Sequence, residues 1–166
     1  MSNMRIEINL HAQQLYLYQT SAEVENLLRE FPVSTALNGA GETEGSFCTP
    51  RGQHRIAQKI GAGAPLFAVF KARVATGEIW TPELDAGAPG RDWILSRILW
   101  LDGIETGKNQ GELVDSHDRY IYIHGTNEEH NIGTPVSHGC IRMRNADVTA
   151  LFDLVEVGMP VNIREE

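Results

Sequence analysis

Residues 121–148 read IYIHGTNEEHNIGTPVSHGCIRMRNADV, and this stretch carries both the fold and the chemistry of the chain. The residues YIYIH (120–124) alternate in the period of a half-buried strand, which ends on His124. Gly125 and Thr126 follow at once. Cys140 comes 16 residues after His124, behind Ser137, His138 and Gly139. The stretch then turns into a helix. Asn145 is a good N-cap, Asp147 suits a first turn, and Val148, Leu151, Phe152 and Val155 make one apolar stripe. Gly158 and Pro160 stop that helix, and VNI (161–163) returns as a strand.

Upstream, short alternating runs dominate. RIEINL (5–10), QLYLY (14–18) and APLFAVF (64–70) read as strands, with glycine-bearing loops such as NGAGETEGS (38–46) and TPRGQ (49–53) between such runs. Residues 24–31 are ambiguous. Val24, Leu27, Leu28 and Phe31 follow a helical spacing, but the flanks are strand-like and the segment is read as strand. No repeat or linker divides the chain, so residues 1–166 are read as one mostly β domain with one or two helices.

Composition narrows the function. Hydrophobic residues make up 42% and charged residues 22% of 166 residues, an ordinary globular balance. The formal net charge is −8 and no Lys/Arg cluster reverses it locally, so a nucleic-acid partner is not expected. No run approaches the roughly 18 apolar residues of a membrane span. The opening MSNMRIEINLHAQQ lacks the apolar core of a signal peptide, which gives the expectation of a cytoplasmic protein with no membrane association. A periplasmic location would require a leader removed beforehand. Cys48 and Cys140 form no disulfide framework and fit a reducing compartment.

The two cysteines have different surroundings. Cys140 lies between Gly139 and an aliphatic residue, beside hydroxyl and imidazole groups, and this is not the setting of a core thiol. A nucleophilic thiolate needs a base or positive charge to lower its pKa from about 8.5. His124 and His138 can each supply a base, and Arg142 adds charge two residues on. Gly139 leaves its amide unobstructed, so the amides of 139 and 140 are expected to face a developing oxyanion. Cys48, in SFCTP, reads as a structural or incidental thiol. His117, His130, Asp115, Asp118, Glu128 and Glu129 follow no HExxH or CxxC spacing, and no metal or cofactor is expected. Trp80, Trp93 and Trp100 read as packing residues more readily than as a cleft lining.

HGT followed by SHGCIRM resembles the signature of the YkuD-type L,D-transpeptidases. LHAQQLYLY resembles that family's opening strand pair, and FPVSTALNGAGETEGSFCTPRGQHRI its PVSTG-x-N…PEG-x-F-x-TP-x-G stretch. The likeness runs along nearly the whole chain. It implies a sandwich- or barrel-like catalytic domain with a C-terminal helix and short additional helices. It also implies a cysteine acyltransferase acting on peptidoglycan stem tetrapeptides. Cys140 would attack the carbonyl of residue three (diaminopimelate or lysine) and expel D-Ala, with His124 as base and the Gly125 carbonyl orienting it. His138 would shape the site, Arg142 would hold a substrate carboxylate, and Ser137 would hold the loop. Carbapenem-type β-lactams would acylate the same cysteine.

The resemblance leaves the acyl acceptor open. Water would make the protein an L,D-carboxypeptidase that trims muropeptides during murein recycling, the reading preferred for a cytoplasmic chain. An amine would make it a transpeptidase forming 3-3 cross-links or exchanging D-amino acids. The segment 79–112 is expected to supply loops over the cleft that decide between them. A papain-like or NlpC-type peptidase places Cys before His, the reverse of this order. A binding module without activity would be expected to lack the nucleophile or the base, and both are present. A metallohydrolase built on His117, His124, His130 or Cys140 would be inhibited by chelators, and a cysteine enzyme by iodoacetamide.

Overall fold

The computed structural model describes residues 3–166. The elements in chain order are β1 (Met4–Asn9), β2 (Gln14–Ser21), β3 (Val24–Pro32), β4 (Gly52–Ile60), β5 (Ala68–Lys71), β6 (Val74–Ile79), α1 (Pro82–Ala86), β7 (Ile94–Gly103), β8 (Tyr122–Gly125), β9 (Ile141–Met143), α2 (Asn145–Leu154) and β10 (Pro160–Arg164). Single 3₁₀ turns occupy Glu112–Val114 and Glu129–Asn131. The fold is mostly β, as the alternation predicts.

One mixed ten-stranded sheet runs β3-β2-β1-β10-β4-β7-β5-β6, with β8 joined to β7 and β9 to β8. The β1–β10 and β8–β9 pairs are parallel, and the others are antiparallel. β7 is the hub. A register shift between Leu95 and Ile98 lets it pair with β5 near its start, with β4 farther along, and with β8 beside both. Its residues Leu95 to Leu99 are buried without alternation, because Ile98 packs with Ala68, Phe70 and Tyr122 while Leu99 belongs to the main core. Ile6, Ile8, Leu15, Leu17, Ile56 and Leu101 continue the core, and the α2 stripe of Val148, Leu151, Phe152 and Val155 closes it.

Several expectations shift in detail. The strand read at 64–70 begins only at Ala68, since Leu66 and Phe67 form a turn with Phe67 at φ +67°. The strand read at 120–124 begins at Tyr122, because Tyr120 turns at φ +57°. Asn145 lies inside α2 instead of capping it; Arg144 takes the cap position with no side-chain hydrogen bond. Residues 24–31 are a strand, and their helical spacing has a local cause. A bulge opposite Leu17 and Tyr18 inserts Leu28, so the apolar side chains fall out of the period of two. Segment 79–112, expected to include loops over the cleft, also contains the central strand β7, and it contributes Asp92 and Ile94 to the site wall.

Candidate active site

β8 and β9 run parallel side by side, with His124 opposite Arg142 and Ile123 opposite Ile141. This register brings the end of the histidine strand against the start of the strand that follows Cys140. The loop between them is tied down along its length. Ser137 donates its hydroxyl to the Cys140 carbonyl at 2.6 Å and accepts the Gly139 amide at 3.1 Å. Thr49 donates to the Gly139 carbonyl at 2.9 Å. Gly139 sits at φ +132°, where an L side chain is strained, and a Cβ there would lie 3.1 Å from the Cys48 carbonyl.

His124 is 2% exposed, and its Nδ1 lies 2.7 Å from the Gly125 carbonyl. A carbonyl only accepts, so the proton sits on Nδ1 and Nε2 is left as the base. Gly125 is held in turn by Asn145, whose amide donates to the Thr126 carbonyl at 2.8 Å and whose Oδ1 accepts the Ser96 hydroxyl at 2.6 Å. Any Cβ on residue 125 would collide with Asn145 Oδ1 and lie 2.6 Å from the Leu95 carbonyl. Only glycine fits there.

Cys140 is half-buried. Its thiol donates to the Tyr120 carbonyl at 3.3 Å, and the Tyr122 amide donates to its sulfur at 3.4 Å. Burial pushes this thiol up to about 11, against the pull of the Tyr122 amide and of Arg142 and Arg119. Burial pushes the His124 imidazole down, only partly offset by its bond to the Gly125 carbonyl. Burial thus favours the uncharged form of both groups. A cavity of about 290 Å³ joins Cys140 and His124 with Arg142, His138, Ser137, Tyr120, Tyr122, Arg119, Arg73 and Asp92 on its walls.

The sequence candidates thus meet at one place, with differences in detail. Of the two amides expected to face an oxyanion, 139 and 140, that of Gly139 donates to Ser137, and the Tyr122 amide is aimed at the sulfur. Arg142 lines the cavity but pairs with Glu128 at 3.3 Å. His138 is exposed at the rim, edge-on to Phe47 at 5.7 Å. Cys48 bonds to the Asn38 and Ser46 carbonyls at 3.6 Å and does not line this cavity. Among the polar loop residues, His117 stacks on Trp100 at 4.0 Å and Asp115 accepts the Gly111 and Asp118 amides. Among the described residues, no three His, Cys, Asp or Glu side chains gather as a metal site. No described helix is long and apolar enough to cross a membrane.

Sequence reading missed Tyr122, Tyr120, Arg119, Arg73 and Asp92. For the tyrosines a signal existed, because the period of two puts 120, 122 and 124 on one face. Arg119 fastens the 41–48 loop, donating to the Gly41, Glu42 and Cys48 carbonyls, and nothing in its sequence neighbourhood announces that.

Residues 3–163 match the family model YkuD, the L,D-transpeptidase catalytic domain. The chain belongs to this family. It is 50% identical over 48 residues to the probable L,D-transpeptidase YbiS of Escherichia coli, a match covering 29% of this chain and 16% of that protein. It is 50% identical over 50 residues to the putative L,D-transpeptidase YqjB of Bacillus subtilis, covering 30% and 28%. L,D-transpeptidase 3 of Mycobacterium tuberculosis, solved with a faropenem-derived adduct, superposes with a TM-score of 0.57 at 15% identity, over 99% of this chain and 61% of that one. The last likeness shows the fold. In each case the chain covers less than two thirds of the relative's own length.

Proposed function

We propose that the protein is a cysteine acyltransferase that cleaves the bond between residue three and the terminal D-Ala of peptidoglycan stem tetrapeptides. The observation that carries this reading is the His124 imidazole fixed on the Gly125 carbonyl in the same cavity as Cys140. The thiol proton passes to His124 Nε2 as sulfur attacks the residue-three carbonyl. Main-chain amides beside the nucleophile receive the oxyanion, and that of Tyr122 already reaches the sulfur. Collapse expels D-Ala, whose nitrogen takes the proton from His124, and leaves a thioester on Cys140. Arg142, released from Glu128, takes a substrate carboxylate. In the second half, His124 removes a proton from water, and hydrolysis returns the tripeptide and the thiol. Water as acceptor makes the protein an L,D-carboxypeptidase, with murein recycling in the cytoplasm as its setting.

A second reading, transpeptidation, draws on the shallow surface beyond His138, where exposed Leu37 and Phe47 offer an acceptor peptide a place to lie. A mass-spectrometric time course with a disaccharide tetrapeptide, alone and with D-Met, separates the two. Tripeptide under both conditions is expected, and exchange to D-Met or a cross-linked dimer would instead establish transfer. Cys140→Ala abolishes D-Ala release while the fold persists; substantial residual release would sink the mechanism. A carbapenem, like the faropenem of the mycobacterial relative, is expected to leave one adduct on Cys140. An adduct on Cys48 would name the wrong thiol.

A further inference from the structure

The wall of the catalytic cavity includes the tip of the β5–β6 hairpin, Ala72 and Arg73, and the segment entering β7, Asp92 and Ile94. Most charges around the site are already engaged. Arg142 pairs with Glu128 at 3.3 Å, Arg91 pairs with Glu78 at 2.6 Å, and Arg119 is bound to main-chain carbonyls. Arg73 and Asp92 are the exceptions. Arg73 donates one bond, to the Tyr122 hydroxyl at 3.0 Å, and its guanidinium lies 4.9 Å from the Trp100 ring centre and 5.0 Å from that of Tyr120. These contacts fix the position of the fork, yet among the described residues it meets no carboxylate. Asp92 makes no hydrogen bond and no ion pair among the described residues, and the two do not pair with each other. A pre-positioned cation and an exposed anion that line one cavity, with no pair to a group of opposite charge among the described residues, suit a ligand carrying both charges.

We propose that Asp92 and Arg73 form the subsite for the side chain of the donor's third residue. They select a side chain that ends in an amino-acid zwitterion, as in diaminopimelate, over one that ends in an ammonium alone, as in lysine. Asp92 takes the ammonium and Arg73 the carboxylate. The assignment rests on the stem-peptide reading above. The attacked carbonyl belongs to residue three, so its side chain departs from the carbon beside the bond being broken and must enter the space around Cys140. Lysine satisfies Asp92 but leaves the Arg73 fork unfilled. The rings of Trp100 and Tyr120 hold that fork in place before substrate arrives, which lowers the ordering cost of the contact.

The test uses the Cys140→Ala protein, in which binding is read without turnover, and two tetrapeptides that differ only in residue three. By titration calorimetry the diaminopimelate peptide is expected to bind about tenfold or more tightly than the lysine peptide, the worth of one charge-assisted pair. Adding Arg73→Gln brings that ratio near one, and Arg73→Lys, which keeps the charge without the fork, restores it in part. Adding Asp92→Asn weakens both peptides. Equal affinity of the two peptides for the parent, or an equal loss of both with Arg73→Gln, overturns the subsite. Wild-type turnover separates this from the underlying reaction. D-Ala release from both peptides at equal kcat/KM overturns the subsite and leaves the reaction standing. No release from either, with the binding preference intact, overturns the reaction and leaves the subsite. Binding of neither peptide overturns both.

Discussion

Burial moves the two central groups of the site in opposite directions, the Cys140 thiol up to about 11 and the His124 imidazole down, and so favours a neutral pair over a preformed thiolate and imidazolium. With a neutral pair, proton transfer belongs to the encounter with the acyl carbon, and the free thiol is expected to be sluggish toward simple electrophiles. Iodoacetamide alkylation of Cys140, followed by mass spectrometry, is expected to be slow at pH 7 and to go on rising beyond pH 9. An ordinary thiol near 8.5 levels off sooner, and a rate already at its plateau at pH 7 would show a preformed thiolate. Gly125 offers a second handle. A Cβ there meets the Leu95 carbonyl at 2.6 Å, a main-chain atom that cannot swing aside, so Gly125→Ala displaces the carbonyl that orients His124. A misplacement on the order of 1 Å costs about 10²-fold in rate, and that loss of kcat/KM is expected while circular dichroism still reports a folded chain. Activity within about twofold of wild type would show that the Gly125 carbonyl does not set the imidazole's position.

Helix α2 starts where the sequence indicates, but by a different device. The sequence offers Asn145 as the N-cap; in the structure its side chain turns inward to Thr126 and Ser96, and the cap is supplied from outside the helix by Glu129. The Glu129 carboxylate accepts the Asn145 main-chain N–H at 2.7 Å and its side-chain amide at 2.9 Å, placing negative charge at the positive end of the helix. Glu129→Ala is therefore expected to cost about 1 kcal/mol in urea unfolding, with most of it recovered in Glu129→Gln, which keeps the acceptor. No loss in Glu129→Ala would mean that solvent caps α2 equally well. The hairpin turns show the same limit of local reading. Ala22–Glu23 and Ala72–Arg73 both occupy left-handed conformations without Gly or Asn, so no turn signal marked them. The second of these turns carries Arg73 to the site. Strand pairing imposes these backbones, and one residue's propensity has no say against a whole ladder of hydrogen bonds.

Across the whole molecule, local period is enough to find the β character and the apolar stripe of α2, and the HGT…SHGC spacing with its family resemblance points to the encounter of His124 with Cys140, because each is written in residues near one another. Long-range fastening is not written that way. His54 on β4 is fully buried, with Nδ1 2.9 Å from the Gly52 carbonyl and Nε2 2.8 Å from the Ser116 hydroxyl, and so pins the loop that carries Arg119 and Tyr120 to the middle of the sheet. Nothing around His54 in the sequence marks it as a tie across 62 residues. Its consequence is a pH-dependent stability. Burial pushes the imidazole down to about 4, whereas in the unfolded chain it titrates near 6.5. Between those values the unfolded state binds the proton and the folded state does not. The contribution is present in full above about pH 6.5, and it is lost as pH falls toward 4, by roughly 3 kcal/mol in all. Urea unfolding at pH 7.5 and 4.5 of wild type and His54→Gln isolates this group from His124, whose lowered imidazole acts in the same direction in both proteins. His54→Gln is expected to be the less stable at pH 7.5, through the lost bond to Ser116, and to lose less on acidification. Equal acid losses in the two proteins would mean that His54 takes up its proton as readily in the folded chain as in the unfolded one, and that the tie between β4 and the 105–119 loop is loose enough to admit water.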